Sequence, residues 1–173
     1  MVPPTESPNQ SSNVPEHQPE QEPTIGFIPK AFASGLFSGY SPVASGTVGS
    51  AVGLAIYWIP GFEHPVIMAV ASIVVFILGV RTSDAMEKVY GHDPGEVTID
   101  EVLGMWISLM LLPKTIAVSG AAFFIFRILD IVKPYPARRF DSLHGGKGIM
   151  LDDVVSALYT NLLLQAAVAL HIL

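Results

Sequence analysis

The sequence has no cysteine and little charge. Without cysteine in 173 residues, disulfides, zinc-thiolate sites, iron-sulfur ligation and thiol nucleophiles are all excluded. Charged residues make up 14% of the chain, 50% of its residues are hydrophobic, and the mean hydropathy is +0.50. Soluble domains usually carry about 25% charged residues. The composition therefore argues against an ordinary soluble globule.

Basic residues are too few and too scattered for a nucleic-acid partner. Residues 1–24 carry four acids and no Lys or Arg, so the rest of the chain has 11 acids against 9 bases. This near-neutral balance offers no broad basic face for phosphates of DNA or RNA. The Gly-x-x-x-x-Gly-Lys-Ser/Thr loop of nucleotide-binding proteins is also missing. We expect neither nucleic acid nor nucleotide among the partners.

The first 24 residues differ from the remainder. They contain six prolines together with Gln, Ser, Asn and Glu, and they lack an apolar stretch that would offset the entropy lost on folding. We therefore predict a disordered, acidic, proline-rich tail over residues 1–24 and one membrane domain over residues 25–173.

Long uncharged stretches indicate membrane helices. Residues 31–62, 65–80 and 154–173 contain no Lys, Arg, Asp or Glu, and about 20 apolar residues cross the hydrocarbon layer. The apolar residues 102–126 are interrupted only by Pro113 and Lys114, which favours two short helices joined there. The sequence predicts an all-α, integral membrane bundle of about five helices with a hairpin at Pro113-Lys114.

The basic residues predict the orientation of this bundle. Eight lie on the side of the N-terminal tail, and Lys114 lies alone on the other side; the eight are Lys30, Arg81, Lys88, Arg127, Lys133, Arg138, Arg139 and Lys147. Positively charged loops stay in the cytoplasm. We expect a multi-pass protein of a bacterial inner membrane, with its N-terminus and active site on the cytoplasmic side.

Glycine and serine are frequent at the start of the first uncharged stretch. Residues 34–42 read SGLFSGYSP, and this pattern disfavours one continuous helix before Pro42. We predict an interfacial or re-entrant segment here, followed by a helix from about Thr47.

Polar residues gather at the cytoplasmic ends of three predicted helices. In the antiparallel pair around Pro113-Lys114, the acids Asp100 and Glu101 can meet Arg127 and Asp130. Two more acids, Asp152 and Asp153, begin the last helix at the same level. Converging carboxylates repel one another unless a cation is shared. Oxygen ligands without cysteine indicate Mg²⁺.

Each of these acids also has a purely structural interpretation. Thr98 and Glu101 match a capping box, and acids at a helix start are favoured by the helix dipole. Asp130 is the exception, because it lies near a helix C-terminus, where the dipole disfavours it. Either an i,i+3 pair with Arg127 or a shared cation would compensate.

The segment from Lys133 to Gly148 carries residues suited to phosphate. It holds four bases, one acid, one histidine and three glycines, and glycine amides with cationic side chains bind phosphate oxygens. Lys133, His144 and Lys147 are the candidates for this role. A juxtamembrane loop that touches anionic lipid is the alternative, which we favour for Arg138 and Arg139.

Four ordered motifs resemble the phosphatidylglycerophosphatase A family, the membrane phosphatases of bacterial phospholipid synthesis. The similarity covers residues 33–157. The motifs are Ser41-Pro42 with Gly46-Thr47-x-Gly49-Ser50, Asp100-Glu101-x-x-Gly104-Met105-Trp106, Arg127-x-x-Asp130-x-x-Lys133-Pro134-x-Pro136, and His144-Gly145-Gly146-x-Gly148-Ile149-Met150-x-Asp152-Asp153.

The resemblance implies Mg²⁺-dependent hydrolysis of phosphatidylglycerophosphate to phosphatidylglycerol and phosphate. In this reading Glu101, Asp130, Asp152 and Asp153 hold the metal, and Arg127, Lys133 and Lys147 stabilise the phosphate oxygens. Asp100 or Asp141 orients the water, and His144 either protonates the leaving oxygen or binds phosphate. A phosphoaspartyl intermediate is the lesser alternative.

Two other classes of protein use clustered carboxylates in membranes. A phosphatidyltransferase would need a spaced Asp-x-x-Asp-Gly pattern, which the sequence lacks. A membrane carrier would place its acids near the bilayer midplane in interrupted helices. The acids here lie at helix ends, which favours the enzyme.

Overall fold

Seven α-helices and one 3-10 helix form the structure of residues 24–173, which are the residues that the computed structural model describes. No strand occurs in this range, so the predicted all-α class is confirmed. The predicted tail lies outside the described residues except for Thr24. The helices are α1 (Phe27–Ala33), the 3-10 helix (Ser38–Tyr40), α2 (Ser45–Tyr57), α3 (Pro65–Tyr90), α4 (Ile99–Leu109), α5 (Ile116–Val132), α6 (Ala137–Asp141) and α7 (Gly146–Ala169).

Helix α3 is the clearest candidate for a membrane span. It has 26 residues with a mean hydropathy of 2.2 over its most apolar window. Pro65 is its first residue, a position where the missing backbone N–H of proline costs no helical hydrogen bond. Within the described residues it is the one helix that is both long and apolar enough to cross a membrane. Helices α2 and α4 have 13 and 11 residues, fewer than the roughly 20 that a full crossing needs.

The chain breaks between α4 and α5 where Pro113 and Lys114 predicted it. Helix α4 ends at Leu109, and α5 begins at Ile116. The Thr115 hydroxyl caps α5 by accepting a hydrogen bond from the Val118 amide at 3.1 Å. Lys114 forms an ion pair with Glu63 at 2.7 Å. The predicted break into two helices is confirmed.

The glycine-rich segment before α2 is not one helix, as its composition predicts. Gly35, Leu36 and Phe37 all have positive φ angles, and they separate α1 from the 3-10 helix. Helix α2 begins at Ser45, two residues before the predicted Thr47. Within this segment Leu36 and Phe37 are exposed, whereas Ser34 and Ser38 are buried.

Helix α4 lies at the centre of the fold. It packs against α2, α3, α5 and α7, and nine of its 11 residues are buried, as expected of a helix that is covered on every side. The Trp106 indole N–H donates a hydrogen bond to the Gly53 carbonyl on α2 at 3.0 Å.

Glycines allow the neighbouring helices to approach α4 closely. A Cβ at Gly49 or Gly53 on α2 would collide with Thr98 or Val102, and one at Gly104 would collide with the Phe126 ring on α5. Small residues at helix contacts are the usual means of close packing in membranes. The helix ends that carry the acids are therefore held at short distances.

We predict that Gly104→Ala destabilises the fold. The added Cβ meets the ring of Phe126, which is fully buried, and such overpacking costs about 1–3 kcal/mol. The thermal midpoint of the detergent-solubilised protein should fall by about 2–4 °C per kcal/mol. Gly120→Ala on α5 is the control, because its Cβ meets nothing within 4 Å. An equal fall in both variants would contradict the packing argument.

Candidate functional site

Five carboxylates from three helices meet at one end of the protein. Asp100 and Glu101 lie in the first turn of α4, Asp130 lies near the end of α5, and α7 supplies Asp152 and Asp153. Two groups have oxygens within 4.8 Å of one another: Asp100, Glu101 and Asp153, and also Asp130, Asp152 and Asp153. Asp153 belongs to both groups and joins them into one acidic cluster. The predicted meeting of the acids is observed in the structure.

Two cations contact this acidic cluster. An Arg127 Nη1 atom lies 2.8 Å from the Asp130 carboxylate and 3.7 Å from that of Glu101. The i,i+3 pair predicted between Arg127 and Asp130 is therefore present. Lys133 donates hydrogen bonds to Asp141 and, at 2.6 Å, to Asp152. Both cations tie one helix of the site to another.

The position of Lys133 follows from the end of α5. Lys133 has a φ of 48° and caps the helix in the left-handed region, which turns the chain toward α6 and brings Asp141 within reach. Burial acts to lower the pKa of the Lys133 ammonium, but its hydrogen bonds to Asp141 and Asp152 outweigh this effect and raise the pKa above its usual value. Lys133 is therefore a fixed positive charge at neutral pH.

Buried polar atoms at the acidic cluster lack hydrogen-bond partners; within residues 24–173 they include Nε of Arg127 as well as carboxylate oxygens. In the part of the chain that the structure describes, one carboxylate oxygen on each of four acids is buried without a hydrogen-bond donor: Asp100 Oδ1, Glu101 Oε2, Asp152 Oδ1 and Asp153 Oδ2. Buried acceptors are normally satisfied, and close carboxylates repel one another. A hard divalent cation takes oxygen ligands of this kind, so the residues fit a metal ion.

The start of α2 forms a wall of the site. A Cβ at Gly46 would overlap the Glu101 carboxylate and both terminal nitrogens of Arg127. Gly46 therefore lies directly against this ion pair. The Gly-x-x-Gly spacing of Gly46 and Gly49 did not predict this contact, because such a spacing also serves helix packing.

The capping box that was the structural alternative for Thr98 and Glu101 does not form. Thr98 occupies the N-cap position but makes no side-chain cap hydrogen bond. Its hydroxyl instead bonds that of Ser38 at 2.8 Å, and its amide donates to the Ala33 carbonyl. Thr98 thus holds α4 to the N-terminal segment.

His144 and Lys147 line a cavity that no residue of the acidic cluster lines. This cavity of about 300 Å³ is lined by Val80, Arg81, Asp84, His144, Gly145, Gly146 and Lys147. The His144 ring stacks on His92 with centroids 4.4 Å apart. Within residues 24–173, no ion pair joins His144 or Lys147 to the acidic cluster.

Asp93 is an acid near the site that sequence reasoning missed. It lies in the loop between α3 and α4 with a φ of 44°. Partial desolvation raises the pKa of its carboxyl, Lys133 opposes this shift, and Asp141 and Asp130 add to it. In the sequence, Asp93 is recognisable only as an acid directly before Pro94. This pattern is also common in ordinary turns, so it did not indicate a functional residue.

The fold and the site define a class of protein: an all-helical, apolar protein in which carboxylates, an arginine and a lysine form a site suited to phosphate chemistry. The family follows from comparison with known proteins. The sequence model of the family Phosphatidylglycerophosphatase A matches residues 31–168, and the chain belongs to this family of phosphatases.

Two of three curated relatives carry the family's name, and the third is named for a different lipid phosphate. Proteins named "Phosphatidylglycerophosphatase A" from Escherichia coli strain K12 and Haemophilus influenzae are 40% and 33% identical to the chain, over 72% and 78% of it and 74% and 83% of their own lengths. A protein from Bacteroides thetaiotaomicron is 36% identical over 82% of the chain and 94% of its own length, and is named "Putative phosphatidylinositol-3-phosphatase". No solved structure matches the chain significantly.

We predict that Gly46→Ala lowers phosphatase activity at least tenfold. The new Cβ displaces Glu101 and Arg127, and a shift of about 1 Å in a site can cost about 100-fold in rate. Phosphate release from a lipid phosphate monoester measures the effect. Gly95→Ala is the matched control, because its Cβ meets only the Ser45 hydroxyl at 3.8 Å. Full activity in Gly46→Ala would remove Gly46 from the site.

Proposed function

We propose that this protein removes the terminal phosphate of phosphatidylglycerophosphate at the cytoplasmic face of a bacterial inner membrane, with Mg²⁺ as cofactor. The observation that carries the proposal is the single cluster of Asp100, Glu101, Asp130, Asp152 and Asp153 beside Arg127 and Lys133. The family and two relatives named for this activity support the choice of substrate. Phospholipid biosynthesis is the corresponding role.

Four acids are the proposed metal ligands: Glu101, Asp130, Asp152 and Asp153. Three of them carry a buried oxygen that lacks a donor within the described residues, and Asp130 shares a group of close oxygens with Asp152 and Asp153. When bound, Mg²⁺ would neutralise these charges and withdraw electron density from the phosphate. Without such a cation the acids would repel the phosphate anion.

The remaining residues bind the phosphate and move the protons. Arg127 and Lys133 neutralise the charge on its equatorial oxygens. Asp100 or Asp141 accepts a proton from the attacking water as its oxygen bonds to phosphorus. The bond from phosphorus to the glycerol oxygen then breaks, and the alkoxide takes a proton to give the lipid alcohol and inorganic phosphate. We assign His144 the role of supplying this proton or, with Lys147, of binding a phosphate oxygen. Both residues line a cavity whose lining includes no residue of the acidic cluster.

The charge distribution supports the proposed membrane orientation. Arg127, Lys133 and the acidic cluster lie at the same end of the helices, whereas Lys114 pairs with Glu63 in the segment between α4 and α5. A phosphate monoester on a lipid stays at the headgroup level. An active site at the ends of helices α4, α5 and α7 meets this requirement without crossing the hydrocarbon.

We predict that the purified, detergent-solubilised protein releases phosphate from phosphatidylglycerophosphate with Mg²⁺ and loses this activity with a chelator. Asp130→Asn removes the acid bound by Arg127, and we expect at least a 100-fold lower kcat. Phosphatidylinositol 3-phosphate is assayed in parallel, because one relative is named for it. Malachite-green detection of phosphate measures both reactions.

Glu63→Gln is the control for a lost surface charge, since Glu63 pairs with Lys114 away from the acidic cluster. It should retain wild-type activity. If phosphatidylinositol 3-phosphate is the better substrate, the proposed headgroup is wrong and the class of reaction stands. If wild-type protein releases no phosphate from either lipid, the proposed function fails.

The absence of cysteine allows a clean test of the orientation. We predict that Arg138→Cys is labelled by an impermeant maleimide only after cells are opened, whereas His64→Cys is labelled in intact spheroplasts. Both residues are exposed and neither belongs to the acidic cluster. The reversed pattern would invert the topology, and labelling of both from one side would contradict the crossing helices.

A further inference from the structure

An apolar groove of about 430 Å³ lies between α5, the segment after it and α7. Its lining residues are Leu129, Pro134, Tyr135, Tyr159, Leu162 and Leu163, none of which is charged. Leu162 and Leu163 are 64% and 55% exposed, so the groove is open along its length. The proposed mechanism uses none of these residues.

The groove begins at the charged site. Leu129 directly precedes Asp130, and Pro134 directly follows Lys133. On α7, Tyr159 and Leu163 follow Asp152 by seven and eleven residues, so they continue the helix face on which Asp152 lies. The apolar surface thus runs from the Lys133–Asp152 contact along α7.

Hydrogen bonds hold the walls of the groove together. The Tyr159 hydroxyl donates to the Tyr135 carbonyl at 2.9 Å, and the Ser156 hydroxyl lies 3.5 Å from the Leu129 carbonyl. These contacts tie α7 to α5 and to the segment after α5. The groove is therefore formed before any ligand enters, as is usual for binding sites.

We propose that this groove binds an acyl chain of the lipid phosphate substrate. The inference rests on the proposed function and adds the place where the lipid is held. Charge complementarity supports it, because the anionic phosphate would lie beside Lys133 and Arg127 while the uncharged chain follows the apolar groove. Hydrocarbon binding here supplies substrate affinity at a distance from the reacting phosphorus.

A second apolar cavity is the competing location. It has about 310 Å³ and lies between α3, α4 and α7, lined by residues that include Phe76, Leu103 and Val154. Its lining residues Leu151 and Val154 flank Asp152 and Asp153 in the chain, but none of its lining residues adjoins a Lys or Arg. The groove lies beside Lys133, which carries the positive charge that a phosphate needs, so the groove is the better site.

Photolabelling of the wild-type protein tests the location without relying on turnover. The probe is a phosphonate analogue of phosphatidylglycerophosphate, in which a methylene group replaces the leaving oxygen, with a diazirine in the middle of one acyl chain. It is added with Mg²⁺ to protein in nanodiscs. We expect crosslinks in residues 129–135 or 159–163, reduced by an excess of the same phosphonate without the diazirine and unchanged by phosphatidylglycerol. Crosslinks that neither lipid reduces would show ordinary bilayer lipid, and competed crosslinks in residues 72–76 would place the chain in the other cavity. Both results overturn the proposal.

A matched pair of variants tests the effect on catalysis. Leu163→Trp fills the groove, and Leu158→Trp adds the same ring to a residue of α7 that is 50% exposed and outside the groove. We expect Leu163→Trp to raise KM for a long-chain substrate about tenfold, the effect of losing roughly two methylene contacts. Its kcat, and both constants for a dihexanoyl substrate, should be unchanged. Equal effects of the two variants would contradict a specific groove.

The two experiments separate the groove from the reaction. If the wild-type protein hydrolyses no lipid phosphate but the crosslinks are competed as expected, the proposed function fails and the chain-binding groove stands. If the protein hydrolyses the lipid and the crosslinks fall elsewhere, the function stands and the groove fails.

Discussion

The structure depends on one arrangement of charges: within residues 24–173, four buried carboxylates and the half-buried carboxylate of Glu101 lie beside two paired cations. In the described part of the chain, Arg127 and Lys133 are the cations that contact the acidic cluster. Taking carboxylates out of water costs several kcal/mol each unless charge partners compensate, and their mutual repulsion adds to this cost. The cluster is therefore a site that favours a further cation.

Close packing of the helices brings these carboxylates and cations together. Glycines on α2 and α4 bring α2, α4 and α5 to distances that no other side chain permits, and Gly46 places the start of α2 against Glu101 and Arg127. Thr98 and Ser38 hold the start of α4 to the N-terminal segment. The packing that stabilises the apolar core thus also holds the carboxylate oxygens of the site in place. The fold therefore preorganises these oxygens before any ligand binds.

Several features could be predicted from the sequence because they arise from local chemistry. A proline and a lysine in an apolar run indicate a helix break. Because the chain reverses at this break, the two ends of the run lie side by side. The charged residues at these ends therefore meet: Asp100, Glu101, Arg127 and Asp130. The i,i+3 pair of Arg127 with Asp130 is a property of one helix. Other contacts join elements that lie far apart in the chain, and local sequence patterns carry no information on such pairs. Examples are the hydrogen bond of Thr98 with Ser38 and the contact of Gly46 with Glu101.

The sequence by itself determined the all-helical class, the break at Pro113 and Lys114, and the identity of the acids, because hydropathy, proline and charge act over a few neighbouring residues. Only the tertiary structure decided which residues share a site. It paired Lys133 with Asp141 and Asp152 and placed His144 and Lys147 in a separate cavity. The physical reason is distance: ion pairs and hydrogen bonds act over about 3–4 Å, and helix packing sets such distances between residues that the sequence separates.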